Sequence, residues 1–172
     1  MPRNVEIKAR VADIDALRRR AEAVSDTPVE VLHQTDTFYV VPRGRLKLRV
    51  LGRERCELIY YERPDGIEAK ASDYALVRSD DPETFERILT AALPVRGVVT
   101  KTRRLYLVGP TRIHVDEVDG LGAFMELEVV LDDGQSIDEG AAIAERLMVE
   151  LGLKDAERVA CAYIDLLEEE AR

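Results

Sequence analysis

Arg45, Lys47 and Arg49 alternate with Leu46, Leu48 and Val50. Lys101 and Arg103 repeat that spacing, as do Glu126 with Glu128 and Glu6 with Lys8, while Asp116 shares the alternation of Arg112 and His114. A spacing of two puts each set on one face of a β-strand. An ordinary half-buried strand turns an apolar face to the core and a mixed polar face to water. Here like charges stand side by side, and they repel unless an opposite charge lies across from them. One reading is a set of solvated sheet faces with cross-strand ion pairs. The other is a sheet rolled into a barrel, with apolar faces outward against helices and charged faces around a cavity. Lys and Arg clamp phosphate oxygens, and Asp and Glu supply hard oxygen ligands for Mg²⁺ or Mn²⁺. A polyanion with its divalent metal needs both sets, so the pattern points to a triphosphate or similar phosphorylated ligand.

Eight stretches have the strand signature that would carry these residues: 4–11, 35–41, 45–51, 57–62, 72–78, 98–108, 112–118 and 124–131. They are rich in β-branched and aromatic residues and separated by turn-forming ones. Helix signals are fewer. Asp13 is placed to cap a helix through Ile14, Leu17, Ala21 and Val24, and Asp81-Pro82-Glu83 reads as a second helix start. Ser136-Ile137-Asp138-Glu139 has the form of a capping box, with Gly152 as the stop. A last helix is expected from about Asp155 through Val159, Tyr163, Leu166 and Leu167. Strands joined mostly by hairpins and covered by a few helices predict an α+β fold built on an antiparallel barrel or strongly curved sheet.

The chain has 172 residues, enough for one ordinary domain, with 46% hydrophobic and 34% charged residues. That balance suits a folded protein and excludes a disordered one. No apolar run approaches the roughly 20 residues of a membrane span. The opening MPRNVEIKAR lacks the apolar centre of a signal peptide. Cys56 and Cys161 imply neither a disulfide framework nor, with His33 and His114, a zinc cluster. The expected location is the cytoplasm. A net charge of −9 argues against long nucleic acids as partners.

The same residues resemble the CYTH family, named for class IV adenylyl cyclases and thiamine triphosphatases and including inorganic triphosphatases. Its opening Glu-x-Glu-x-Lys is similar to Asn4-Val5-Glu6-Ile7-Lys8. Its Asp-x-x-Tyr and basic segment resemble Asp36-Thr37-Phe38-Tyr39 and the run from Gly44 through Arg45, Lys47 and Arg49. Lys101-Thr102-Arg103 and the run from His114 and Asp116 through Gly120, Gly122, Phe124, Glu126 and Glu128 are similar to its distal half, the most specific part of the match. The resemblance spans the chain as a single domain, 1–172, and implies an eight-stranded antiparallel triphosphate tunnel. It implies that Glu6, Asp116, Glu126 and Glu128 hold one or two Mg²⁺ or Mn²⁺ ions. It implies that Lys8, Arg45, Lys47, Arg49, Lys101 and Arg103 neutralise the substrate, with Glu6 and Lys8 in the catalytic group.

The implied activity is metal-dependent hydrolysis of tripolyphosphate, thiamine triphosphate or another organic triphosphate. The close alternative is a class IV adenylyl cyclase that converts ATP to cyclic AMP and pyrophosphate. A binding module without catalysis is the third. Dimers are common among the proteins it resembles, so a homodimer is the assembly to test. The chain departs from the family pattern at Asn4, which replaces a Glu, and at Glu62-Arg63, where a Lys is usual; Lys70 lies nearby as a substitute.

Overall fold

Alternation becomes pleat in a computed structural model of the protein, which describes residues 3–62 and 73–172. Eight strands form: β1 (Arg3–Arg10), β2 (Glu30–Tyr39), β3 (Arg45–Leu51), β4 (Arg55–Glu62), β5 (Asp73–Ser79), β6 (Val95–Val108), β7 (Thr111–Val118) and β8 (Gly122–Leu131). Four helices accompany them: α1 (Ile14–Val24), α2 (Pro82–Ala92), α3 (Ile137–Glu150) and α4 (Tyr163–Glu170). Arg63 and Lys70, singled out in the sequence, lie outside the described residues.

The strands make one antiparallel sheet in the order β1-β8-β7-β6-β2-β3-β4-β5. Its ends are β1 and β5, and no ladder joins them among the described residues. The expected barrel is therefore a sheet curled around a lumen, with no hydrogen-bonded seam among the described residues. The outer faces of β1, β6, β7 and β8 meet α1 and α3 in a core that includes Val5, Leu17, Ile113, Met125, Leu127 and Met148. Phe85, Leu89 and Leu93, on and just after α2, pack on Tyr39, Leu48 and Cys56 of β2, β3 and β4. The α3 cap is the expected box: Ser136 Oγ accepts from Glu139 N, and Glu139 Oε2 accepts from Ser136 N. No helix among the described residues is long and apolar enough to cross a membrane.

Three element starts differ from the sequence reading by three residues or more. β2 begins at Glu30, and all of it pairs with β6, which itself begins at Val95. The last helix begins at Tyr163, not near Asp155. The cause lies in β1, whose side away from β8 pairs with no other named strand among the described residues. Arg10 N donates to Glu157 O and Val159 N to Lys8 O, each at 2.9 Å. Residues 157–159 are thus held extended along β1, so the chain turns helical only after them.

Candidate functional site

The concave face of the sheet encloses a cavity of about 530 Å³ to which all eight strands contribute side chains. Period-two alternation places them. Asn4, Glu6 and Lys8 point inward from β1 while Val5 and Ile7 enter the outer core. Lys47 and Arg49 do the same on β3, Lys101 and Arg103 on β6, Arg112 and His114 on β7, and Glu126 and Glu128 on β8. The described lining holds seven cationic side chains, from β1, β3, β5, β6 and β7, against five carboxylates.

Two buried aspartates organise the cations. Asp36 of β2 accepts from Lys47 Nζ, Arg49 Nε and Arg49 Nη2, each at 2.8 Å. Asp116 of β7 accepts both Arg103 bonds at 2.7 Å and Tyr163 Oη at 2.9 Å, with Lys101 Nζ at 3.5 Å. The register explains the pairs, since Asp36 lies opposite Arg49 and Asp116 opposite Arg103. Burial alone would push both carboxyls up, but the adjoining cations win. Asp36 is held well below the usual carboxylate range, and Asp116 is lowered to about 2. The cations respond in kind. Burial, reinforced by Arg49, lowers the Lys47 ammonium to about 8, and burial with Arg103 lowers Lys101 to about 7. Burial disfavours the Arg103 charge, yet Asp116 and Glu126 raise its pKa above the ordinary arginine value.

An acidic strip runs along β8. Glu126 lies 3.6 Å from Lys8 Nζ, 3.5 Å from Arg103 Nη2 and 3.3 Å from His114 Nδ1. Burial would raise its carboxyl, but Arg103, His114 and Lys8 hold it well below the ordinary value. The His114 imidazolium is disfavoured by burial and by Arg103, so His114 sits below its usual pKa. Glu128 accepts from Asn4 Nδ2 at 2.7 Å and lies 3.3 Å from Arg112 Nη1. Glu6 is directly opposite Glu128 in the β1–β8 register.

The remaining wall is apolar and aromatic. Phe38, Ile59, Tyr61 and Leu76 line the β2, β4 and β5 side. Lys47 Nζ lies 5.4 Å from the Phe38 ring centre and 5.9 Å from that of Tyr61. Tyr163, at the start of α4, sits under Lys8 and Lys101 at 4.5 and 5.0 Å. The same helix is tied down by Asp165, which accepts from Arg45 at 2.8 Å and Arg96 at 2.7 Å.

The structure therefore brings Glu6, Lys8, Lys47, Arg49, Lys101, Arg103, Glu126 and Glu128 to one cavity. Arg45 and Asp116 are not among its lining residues. Arg45 is turned to Asp165 on α4, and Asp116, fully buried, stands behind Arg103. Arg104, on the opposite face of β6, pairs with Glu117 outside. Gln34, Glu57, Arg78 and Tyr163 line the cavity although the sequence did not single them out as ligand-binding. For Gln34 the signal was the run Leu32, Gln34, Asp36, Phe38, legible only once β2 is extended to its true start.

Hard oxygen donors suit Mg²⁺ or Mn²⁺, and the candidate donors here are Glu6, Glu126, Glu128 and the Asn4 amide oxygen. The described residues do not gather three Asp, Glu, His or Cys side chains into one coordination set.

An antiparallel sheet curled around a cavity of convergent cations, with an acidic strip along one strand and helices over its outer face, defines an α+β class of tunnel-shaped fold. Within it, the chain belongs to the CYTH family: the CYTH domain profile matches residues 2–163. It is 23% identical to the adenylate cyclase CyaB of Aeromonas hydrophila over 96% of this chain and 88% of that one. The fold is similar to that of the PH1012 protein of Pyrococcus horikoshii OT3, with a TM-score of 0.83 at 23% identity, covering 95% of this chain and 98% of the other. It is also similar to HpAC1 of Hippeastrum, a proposed adenylyl cyclase described as having a dominant triphosphatase activity. There the TM-score is 0.76 at 13% identity, covering 99% and 96% of the two chains.

Proposed function

We propose that the protein is a divalent-metal-dependent enzyme that hydrolyses an inorganic or organic triphosphate inside the tunnel. The observation that carries this reading is the convergence of Lys8, Lys47, Arg49, Lys101 and Arg103 on one cavity that also presents Glu6, Glu126 and Glu128. About 530 Å³ lies within the roughly 300–1,000 Å³ of small-ligand sites. Five cations on three strands match a chain of phosphates better than a single one.

Asp36 and Asp116 fix Lys47, Arg49 and Arg103 before the substrate arrives, so little side-chain reorganisation is left for the reaction. The cations neutralise the phosphate oxygens and the charge that grows on the leaving oxygen. In this reading Lys8, at the junction of the cationic wall and the acidic strip, meets the terminal phosphoryl group, and Glu6 orients the attacking water and takes its proton. Water adds to the terminal phosphorus, the bridging P–O bond breaks with its electron pair on the bridging oxygen of the remaining diphosphate portion, and inorganic phosphate and that diphosphate product leave. A bound Mg²⁺ or Mn²⁺ would supply charge neutralisation and alignment of phosphate oxygens at Glu6 and Glu128.

Similarity to CyaB favours a second reading, in which the 3′-hydroxyl of ATP attacks its own α-phosphorus and expels pyrophosphate. One assay separates the two. Purified protein is incubated with tripolyphosphate, thiamine triphosphate or ATP in Mg²⁺ or Mn²⁺, and phosphate, pyrophosphate and cyclic AMP are measured. Hydrolysis gives metal-dependent phosphate release without cyclic AMP. Cyclic AMP with equimolar pyrophosphate replaces hydrolysis by cyclisation. Binding of tripolyphosphate without turnover of any substrate removes the enzyme and leaves a binding module.

A further inference from the structure

The acidic end of the cavity contains a neutral residue whose placement bears on when a cation enters. Asn4 Nδ2 donates to Glu128 Oε1 at 2.7 Å, and Arg112 Nη1 approaches the other carboxylate oxygen at 3.3 Å. The contact fixes the Asn4 amide: turned over, its carbonyl oxygen would face a carboxylate oxygen at hydrogen-bond distance. Each Glu128 oxygen therefore already faces a protein donor. Glu126, two residues along, is likewise surrounded by Lys8, Arg103 and His114. A carboxylate at position 4 would instead set a second negative charge against Glu128 Oε1, a repulsion that a cation between them would relieve.

We propose that Asn4 makes cation binding dependent on the ligand: the protein alone holds Mg²⁺ or Mn²⁺ weakly, and the ion enters on the phosphate chain. The phosphate oxygens complete a coordination shell that the Asn4-clamped Glu128 leaves incomplete. This rests on the proposed reading of the cavity as a polyphosphate site, and Asn4 becomes a determinant of binding order within it.

The test counts bound Mn²⁺ by the loss of the free-ion paramagnetic resonance signal, first with Mn²⁺ alone and then with the imido analogue of tripolyphosphate. Wild-type protein is expected to bind Mn²⁺ alone only in the range of about 1 mM or weaker, and at least about 10-fold more tightly with the analogue. Asn4→Asp, which exchanges the donor for a charge at constant size, is expected to bind Mn²⁺ alone at least about 10-fold more tightly than wild type. Tight Mn²⁺ uptake by wild-type protein alone overturns the proposal and needs no variant to observe. So does a folded Asn4→Asp protein, judged by circular dichroism, whose Mn²⁺ affinity is unchanged. Analogue binding is followed separately by calorimetry. If the analogue does not bind, the polyphosphate reading fails and takes the ligand-linked order with it. If it binds without improving Mn²⁺ uptake, only the order is overturned.

Discussion

At the scale of single residues, the site is built from charges that hold other charges. Asp116 is fully buried behind Arg103 and accepts two bonds from it and one from Tyr163. Asp116→Asn removes the carboxylate that holds the buried Arg103 guanidinium in two hydrogen bonds and leaves only Glu126, 3.5 Å away, as its counter-charge. The expected loss of stability is about 3–5 kcal/mol, read as a lower midpoint in urea, with tripolyphosphate affinity falling alongside. The charged wall also makes binding sensitive to pH. The Lys47 ammonium is depressed to about 8, by burial first and by Arg49 second. As pH rises through about 8, Lys47 loses its proton in the folded protein before it does in the unfolded chain. The penalty for burying its charge is present below that pH and relieved above it, so this group makes stability rise from pH 8 toward the ordinary lysine value. A polyanion restores the proton, so its binding takes up protons near pH 8 and weakens as pH rises further. Calorimetry in buffers of different ionisation enthalpy checks this: the apparent heat at pH 8 should vary with the buffer. Period two made the inward cations legible in the sequence, but it could not show that Arg45 would be captured by Asp165. Nor could it show that Asp116 would be enclosed by Arg103 and Tyr163. Both follow from α4 and from the β6–β7 register, contacts 120, 13 and 47 residues apart.

At the scale of elements, helices cover the outer face of the curled sheet. α3 lies close over β1 and β8 at Gly140, where an added Cβ would stand 2.5 Å from Leu131 Cδ2 and 2.8 Å from Val5 Cγ2. Gly140→Ala is therefore expected to destabilise the protein by about 1–3 kcal/mol, outweighing its gain in helix propensity. Thermal unfolding reads this as a drop of several degrees, and an unchanged or higher midpoint would mean that α3 sits further from the sheet. The strand positions were readable from alternation, and α1, α2 and α3 from their capping residues, since these signals are local. The start of α4 was not, because the edge of β1 away from β8 takes residues 157–159 as an extended partner. The length of β2 was missed for a similar reason: its first residues are exposed and lack apolar alternation, and β6 holds them in register.

At the scale of the whole molecule, a net charge of −9 coexists with a cavity whose described lining carries seven cations and five carboxylates. The two facts act at different ranges. The overall charge repels long polyanions and is screened beyond roughly 10 Å at moderate salt, whereas the wall acts at contact on a ligand small enough to enter. The central claim is that this wall binds a short phosphate chain, and calorimetric titration of tripolyphosphate with Mg²⁺ into wild-type protein and into Arg49→Glu tests it most directly. One saturable site per chain in the wild type, weakened at least about 100-fold in the variant, is the expected result. Equal affinity in the two proteins, or no binding to the wild type, would contradict it.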